Sequence, residues 1–303
     1  MSTINFNDGI FAQEALQQFV ADMSPIAFFS HSYNAESAQK GNAIYVPRVD
    51  AITTTTFSYT DNSGFPYENT GGTIGTITVT MDQQFVNVVD ISDLQRMNSS
   101  AAEWTNFARQ QGKSLAKAVW QRIATLFTTA NYGVAVQAIS IANYGYTAGA
   151  SIRTVMAKRD VLKEMGTDRL AMIVNQDVNY SFLSNSTVYQ NYIFNGDVAR
   201  TGRMGQVAGM DVYPVNIMPT NGISLVGVIA HPDSVAVACR YLEPQEPGAY
   251  ISAQRLVDDQ SGIVLGYRRH YNPGRGKMFV NFEALFGFAV GLSLGLGILT
   301  RSD

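Results

Sequence analysis

The sequence is poor in the residue types that bind metals and form disulfides. Its 303 residues include one cysteine, Cys239, and three histidines. A single cysteine excludes a disulfide within the chain and a cysteine-based metal site. The histidines, His31, His231 and His270, lack the spacing of metal ligands, and a capping or structural role is expected for His231 because Pro232 and Asp233 follow it at a predicted helix start. We therefore predict no catalytic residue, no cofactor-binding residue and no metal ligand, and we expect Cys239, which has apolar neighbours, to be a buried and unreactive thiol.

Charge is also scarce. Charged side chains make up 15% of the chain, compared with about 25% in an average globular protein. The formal net charge of −3 argues against the broad basic surface that sequence-independent nucleic-acid binding requires. A hydrophobic fraction of 46% is nevertheless sufficient for a folded core. Low charge combined with such a core is typical of a protein whose surface is largely covered by neighbouring molecules.

Neither a secretory signal nor a membrane span is predicted. The first residues, MSTINFNDG, carry neither the positive charge nor the apolar run of a signal peptide, so we expect an intracellular origin. The apolar run Ala284–Thr300 is shorter than the roughly 20 residues of a spanning helix. Large and small residues alternate strictly along it, which is a strand pattern. We predict one long buried strand over Phe286–Ile298, with its bulky face toward a helix.

The clearest helical pattern extends from Ser99 to Thr129. Ser100 and Glu103 have the spacing of a capping box, in which each side chain satisfies a backbone amide at the start of a helix. Apolar residues then recur at steps of three and four, with polar residues on the other side. About 29 helical residues make a rod of about 43 Å. We predict that this spine helix is the element on which a sheet is laid.

The remaining segments are predicted as follows. Before the spine helix, the pattern predicts a helix at Asp8–Met23 and then a long hairpin that includes strands at Ile52–Tyr59 and Thr76–Asp82, with a further strand at Phe85–Val89. After the spine helix, strands alternate with helices in an α/β region. Its predicted elements are a helix at Ser151–Glu164, a strand at Arg169–Val174, a helix at Asp177–Leu183, a strand at Leu225–Ala230 and a helix from Pro232 to Leu242.

The last part of the chain is again predicted as β, with strands at Ser252–Val257, Ile263–Tyr271 and Met278–Phe282. It contains one basic cluster, made of Arg255, Arg268, Arg269, His270, Arg275 and Lys277. Three interpretations of this cluster stay open: a solvated or salt-bridged strand face, a contact with an acidic neighbouring subunit, and a weak contact with phosphate. The turn PGRGKM at 273–278 lacks the first glycine and the hydroxyl residue of a P-loop, so nucleotide binding is not predicted there.

Five stretches resemble, in order, segments of the major capsid proteins of tailed bacteriophages with the Hong Kong 97-type fold. They are GNAIYVPRV, VDISDLQRMNSS, DRLAMIVNQDV, QVAGMDVYPVNIMP and RLVDDQSGIVLGYRRHYN. The resemblance implies an α+β fold with an N-terminal arm, an extended β-hairpin called the E-loop, a peripheral domain with a long spine helix and an antiparallel sheet, and an α/β axial domain. The implied boundaries are 1–42 for the N-arm, 43–90 for the E-loop, 91–149 and 246–303 for the peripheral domain, and 150–245 for the axial domain.

The same resemblance implies a structural protein without enzymatic activity. It would self-assemble, as hexamers and pentamers, into an icosahedral shell that encloses double-stranded phage DNA. Implied partners are copies of the chain, a separate scaffolding protein, a portal and, through weak non-specific contact, the packaged DNA; a membrane is not implied, and a decoration protein is left open. The implied location is the virion capsid, assembled in the bacterial host cytoplasm. Some relatives crosslink through an E-loop lysine, but no lysine lies between Lys40 and Lys113, so we expect no such crosslink.

Three alternatives remain at this stage. An encapsulin-like nanocompartment would have the same fold and a protein cargo. A phage tail tube or sheath protein would form open filaments. An α/β enzyme built on 150–245 is the third alternative, although the sequence shows no nucleophile and base in a recognisable pattern.

Overall fold

The computed structural model of the chain describes residues 8–23, 25–29, 43–49, 74–98, 101–132, 157–163, 169–184, 205–207, 209–216, 218–258 and 262–300. Within them the chain forms two five-stranded sheets, one two-stranded sheet and a set of helices. The predicted strand at Ile52–Tyr59, the hairpin tip and the predicted cap at Ser100 lie outside the described residues. The helix predicted at Ser151–Glu164 is described only over 157–163, where it is helical.

The first helix, α1 (Asp8–Asp22), packs along the spine helix, α3 (Ala101–Ala124). The two backbones are in close contact at Gly112, where an added Cβ would lie 2.3 Å from the carbonyl oxygen of Ala15. A glycine within a helix costs about 1 kcal/mol relative to alanine, and here it permits this close packing. The N-terminal helix is therefore docked on the spine helix of its own chain.

The spine helix ends at Ala124, earlier than predicted. The N–H groups of Leu126 and Phe127 donate to carbonyls three residues before them, at 2.9 and 3.2 Å, which tightens the last turn. The side-chain amide of Asn221 donates to the carbonyl oxygens of Ala124 and Phe127 at 2.8 and 2.9 Å. The predicted end was wrong because these carbonyls are satisfied by a residue that is distant in sequence. A short helix, α4 (Thr129–Tyr132), follows.

One five-stranded sheet is antiparallel. Its strands, in spatial order, are β3 (Gln83–Ser92), β11 (Lys277–Val290), β10 (Val264–Asn272) and β9 (Ser252–Val257), and β8 (Val235–Arg240) pairs with the second half of β11. A short helix, α2 (Asp93–Asn98), links β3 to the region of the spine helix. Phe11 of α1 stacks on Phe282 of β11, with ring centroids 6.0 Å apart. Gln111 of α3 donates to the carbonyl oxygen of Val280 at 3.1 Å. Both long helices therefore lie against this sheet, as the spine-and-sheet prediction expected.

The other five-stranded sheet is mixed. Its strands, in spatial order, are β12 (Leu296–Thr300), β7 (Leu225–Ala230), β4 (Ala171–Asn175), β6 (Met210–Val215) and β5 (Gln206–Val207). The pair β4 and β6 is parallel and the other pairs are antiparallel. All six residues of β7 are buried, so this strand is covered on both faces. Two helices, α5 (157–163) and α6 (Gln176–Ser184), belong to the same α/β region.

The single strand predicted over Phe286–Ile298 is wrong, because this stretch is divided between the two sheets. β11 ends at Val290, a turn follows, and β12 begins in the mixed sheet beside β7. At the turn, the N–H of Gly291 donates to the carbonyl oxygen of Ser234 at 2.9 Å. An added Cβ on Gly291 would lie 2.1 Å from the carbonyl oxygen of Asp233. The alternation correctly predicted extended chain, whereas contact with the connection between β7 and β8 interrupts it.

The helix predicted from Pro232 to Leu242 is also wrong. Pro232–Ser234 form one turn of 3₁₀ helix, and β8 follows directly. Nδ1 of His231 accepts a hydrogen bond from the backbone N–H of Asp233 at 3.1 Å, which confirms its capping role. Val235 and Val237 then pair with β11. β-branched residues with a pairing partner favour a strand over a helix.

The two-stranded sheet forms the base of the predicted hairpin. Its strands, β1 (Ala43–Val49) and β2 (Ile74–Thr80), pair antiparallel along their full length. The pair rests on the antiparallel sheet: an added Cβ on Gly287 would lie 2.6 Å from the carbonyl oxygen of Thr80. Val79 is fully buried in a small apolar cluster with Ala236 and Ala238 of β8. An isolated two-stranded sheet is only marginally stable, and this contact supplies the surface that it needs.

Candidate functional site

The residues of the predicted basic cluster lie on both faces of the antiparallel sheet, because Arg268 and Arg269 are consecutive residues of β10. Consecutive side chains of a strand point to opposite faces. Nη2 of Arg269 lies 2.9 Å from Oδ2 of Asp8 at the start of α1. Nη2 of Arg268 lies 2.5 Å from Oε1 of Glu283, which faces it from β11 on the side of the sheet away from the helices. The two arginines therefore belong to two separate ion pairs.

The pair of Arg268 and Glu283 is buried, with side-chain exposures of 11% and 7%. Arg268 also donates to the carbonyl oxygen of Leu242, and its guanidinium lies 5.4 Å from the centre of the Tyr250 ring. Burial raises the pKa of Glu283, while the charge of Arg268 opposes this increase. Such pairs contribute little net stability, but loss of one partner leaves a buried charge uncompensated. The salt-bridged interpretation is therefore confirmed for Arg268 and Arg269.

The rest of the cluster is dispersed. Lys277 pairs with Asp90 of β3, and the hydrogen bond and charge of this lysine lower the pKa of Asp90. The ring of His270 stacks on Phe279 with centroids 5.1 Å apart. Arg275 lies exposed in the turn between β10 and β11. The structure thus converts one predicted basic patch into several separate contacts, most of them internal to the chain.

The described surface carries a number of exposed apolar side chains, which are candidates for contacts with other molecules. Large apolar residues that are at least two-fifths exposed are Ile10, Tyr45, Val86, Val88, Leu94, Phe107, Val161, Tyr180, Ile251, Val257, Tyr271 and Leu294. Single exposed apolar residues are normal for a protein surface. Val86 and Val88 are different because they lie next to each other on one face of β3. The sequence predicted a strand here, but alternation alone does not reveal which face is left uncovered.

A cavity of about 510 Å³ lies between α1, α3 and β6. Lys113 and Lys117 of the spine helix line it, together with Asp22, Trp120 and Tyr213. The lining is therefore mixed, with two lysine amines and one carboxylate beside apolar and aromatic side chains.

The single cysteine and His231 are buried in the core. Cys239 is 1% exposed, and burial raises the pKa of its thiol to about 11, which confirms the predicted buried thiol. Burial also lowers the pKa of His231, against the opposing charge of Asp233. In the ranges that the structure describes, no three side chains of the metal-binding types come together as a metal site. None of the helices in those ranges could span a bilayer.

Comparison with known proteins assigns the chain to a family. Residues 76–285 match the sequence model of a family described as phage capsid protein. Because this match covers more than half of the chain, the chain belongs to the phage capsid protein family. No curated protein sequence matches the chain.

Solved structures show the same fold at low sequence identity. A structure from Mycobacterium phage Che8 has a TM-score of 0.57 and 14% identity, and the alignment covers 90% of this chain and 89% of that one. The capsid structure of cyanophage P-SCSP1u has a TM-score of 0.59 and 13% identity, with 91% and 87% covered. The mature capsid of bacteriophage PhiM1 has a TM-score of 0.53 and 12% identity, with 88% and 84% covered. The fold is therefore the Hong Kong 97-type capsid fold.

Family and fold together define a structural protein of the phage virion. The chain is a major capsid protein, and copies of it associate into the capsid shell. The matches favour neither an encapsulin-like compartment nor a tail tube or sheath protein. The functional site of such a protein is the set of surfaces between its copies.

Proposed function

We propose that this major capsid protein assembles, through hexamers and pentamers, into a closed icosahedral shell around double-stranded phage DNA. The observation that carries the proposal is the family match over residues 76–285, on a chain with the capsid fold. Its physical properties agree with this role. Low charge limits the cost of burying large areas between copies, and a net charge of −3 agrees with weak retention of packaged DNA.

The further partners follow from the same proposal. A separate scaffolding protein and a portal would direct assembly in the host cytoplasm, and DNA would contact the shell weakly. Because Arg268, Arg269 and Lys277 are already paired within the chain, the former basic cluster is a poor candidate for that DNA contact. The chain would have no enzymatic role, and no covalent crosslink through a hairpin lysine would form.

We also propose the division into N-arm (1–42), E-loop (43–90), peripheral domain (91–149 and 246–303) and axial domain (150–245). The β1–β2 pair would be the base of the E-loop. Two strands connect the proposed domains: β8 pairs with β11, and β12 pairs with β7.

Expression of the full chain, followed by light scattering and negative-stain microscopy, tests the proposal. Closed particles of megadalton mass are the expected result. A sharp monomer or dimer peak under every assembly condition tried would overturn it. Open filaments would support a tail tube or sheath protein, and closed particles that carry a protein cargo and exclude nucleic acid in infected cells would support an encapsulin-like compartment.

A further inference from the structure

Strand β3 has one unpaired edge within the described residues. It is the terminal strand of the antiparallel sheet, and β11 pairs with its other edge. Along such an edge, every second residue directs its N–H and C=O groups away from the sheet. The ten residues of β3 give an edge of about 34 Å. This edge is long enough to accept a complete strand.

The edge also lacks the features that normally prevent pairing. Protected edges carry lysine, proline or a β-bulge. The sequence of β3, QQFVNVVDIS, has no lysine or proline, and its register with β11 is uninterrupted from Gln83 to Ser92. Its single ionisable side chain, Asp90, is paired with Lys277. At the opposite edge of the sheet, β9 is shorter and carries the exposed charge of Arg255.

Apolar side chains lie beside the open backbone groups. Val86 and Val88 are 49% and 51% exposed. They stand opposite Glu283 and Asn281 in the register with β11, on the face of the sheet away from the helices. A strand added to β3 would therefore form backbone hydrogen bonds and, at the same time, remove apolar surface from water.

We propose that an extended segment of a second copy of this chain adds to the free edge of β3 in the shell and covers Val86 and Val88. The proposal rests on the proposed shell function and names one of the surfaces that form it. The occupant is a second copy because copies of a capsid protein are the neighbours that a shell provides. The charges on β3 agree with a second copy as the occupant. The one ionisable side chain of β3, Asp90, is already paired with Lys277. Since only 15% of the chain is charged, a second copy can supply an uncharged strand, and no unpaired charge would be buried in the contact.

Assembly of the double variant Val86→Lys/Val88→Lys tests the proposal. Lysine at half-exposed strand positions keeps the subunit folded but blocks pairing at the edge, so we expect the yield of closed particles to fall at least about tenfold. The matched control is Tyr180→Lys/Leu294→Lys, which adds the same charge at two positions that are each 56% exposed and distant from β3 in the chain. We expect this control to assemble normally, and both variants to keep the circular dichroism spectrum and thermal midpoint of the wild type.

Amide hydrogen exchange distinguishes the addition of a strand, which protects backbone amides of β3, from a contact made by side chains alone. In the wild-type shell, we expect the β3 amides that face the free edge to exchange at least about tenfold more slowly than in dissociated subunits. Normal assembly of the β3 variant, equal loss of assembly by the control, or unchanged β3 exchange would each overturn the proposal. Slow exchange already in the dissociated subunit would also overturn it, because the chain would then cover its own edge. If the wild type forms no closed particle at all, the proposed shell function fails instead.

Discussion

The two five-stranded sheets differ in how many charged residues they contain and in how much of their surface is exposed to water. In the mixed sheet, β7 and β4 are buried at almost every position, and Asp211 is the one acidic or basic residue in its five strands. The antiparallel sheet carries ion pairs on both faces and ends in the half-exposed strand β3. The first sheet is therefore held together by apolar burial, whereas the second combines a core on one face with a surface on the other.

Because of this difference, substitutions in the two sheets should affect different properties: the stability of the subunit in one case and its assembly in the other. A strand buried on both faces cannot contact a neighbouring subunit, so substitutions in β7 act on folding alone. A strand such as β3 contributes few buried atoms on its outer face, so substitutions there act mainly on contacts with other copies. The following predictions test that separation, from the largest expected effect to the smallest.

The same substitution should destabilise the fold strongly in the mixed sheet and very little in the antiparallel sheet. Val228→Asp places a carboxylate at a fully buried position of β7 without a partner. The cost is about 3–5 kcal/mol or more, a large part of the 5–15 kcal/mol of a typical domain, so we expect insoluble protein. Val88→Asp, at a position 51% exposed, should change the free energy of unfolding by less than about 0.5 kcal/mol. Soluble expression and chemical denaturation of dissociated subunits measure both, and equal losses would refute the distinction.

Breaking the buried ion pair of the antiparallel sheet should lower the free energy of unfolding strongly, whereas replacing both partners with apolar residues should change it little. Arg268→Ala leaves Glu283 buried without its partner, so we expect a loss of about 3–5 kcal/mol in denaturant unfolding. The matched control, Arg268→Met with Glu283→Leu, removes both charges and should stay within about 1 kcal/mol of the wild type. If the single and double variants were equally destabilised, packing and not charge would explain the pair.

Glu283 should also make the single variant sensitive to pH. Burial raises its pKa in the folded state, so its titration favours the folded protein at low pH, and this contribution is lost as pH rises through the folded pKa. Without Arg268 this pKa should rise further, and the deficit of Arg268→Ala should shrink as the pH is lowered toward the new pKa. Unfolding curves at several pH values check this, and a deficit independent of pH would contradict it.

The contact between the β1–β2 pair and the antiparallel sheet should depend on a glycine. Gly287→Ala places a methyl group 2.6 Å from the carbonyl oxygen of Thr80 and 3.0 Å from Cγ1 of Val79. Backbone must move to accept it, so we expect a loss of about 1–3 kcal/mol. Proteolysis within residues 43–80 should accelerate at the same time, because the β1–β2 pair would detach from its support. As a control, Gly248→Ala meets no atom within 4 Å and should change neither measurement.

The exposed ion pair at β3 should give the smallest effect. Lys277→Ala removes the hydrogen bond and charge that lower the pKa of Asp90, which should return toward its usual 3.8. A lowered pKa stabilises the folded state above the usual value, and this contribution is lost as pH falls through the folded pKa. Because the pair is exposed to solvent, the change in stability should be hard to detect near neutral pH. A carbon-13 titration of the Asp90 carboxyl in dissociated subunits measures the shift.

Local sequence patterns correctly predicted those strands whose own apolar content or alternation is sufficient to identify them. The buried strand Leu225–Ala230 and the half-buried strand Ser252–Val257 were predicted with their observed bounds, since apolar content and alternation are local properties. The helix predicted from Pro232 failed because β8 owes its extended form to pairing with β11. Propensity is a weak signal wherever a distant strand decides the outcome.

The candidate site was less accessible to sequence reasoning. The sequence grouped its basic residues correctly and left a salt-bridged strand face open as one interpretation, but it could not identify the partners, since Arg269 pairs with Asp8 from the opposite end of the chain. Conversely, Val86 and Val88 gave no signal in the sequence beyond an ordinary strand. Exposure depends on which face the helices cover and on which strand is last in the sheet, and neither is encoded locally.

The sequence by itself determined the spine helix, the extended segments, the buried thiol and the capsid resemblance, because each follows from residue type and short-range spacing. Tertiary structure alone decided where the spine helix ends, how the stretch after Val290 is divided between two sheets, and which charges are already neutralised. The physical reason is the same in each case. A backbone carbonyl, a strand edge or a buried charge must find a partner, and here the partner lies far away in the chain.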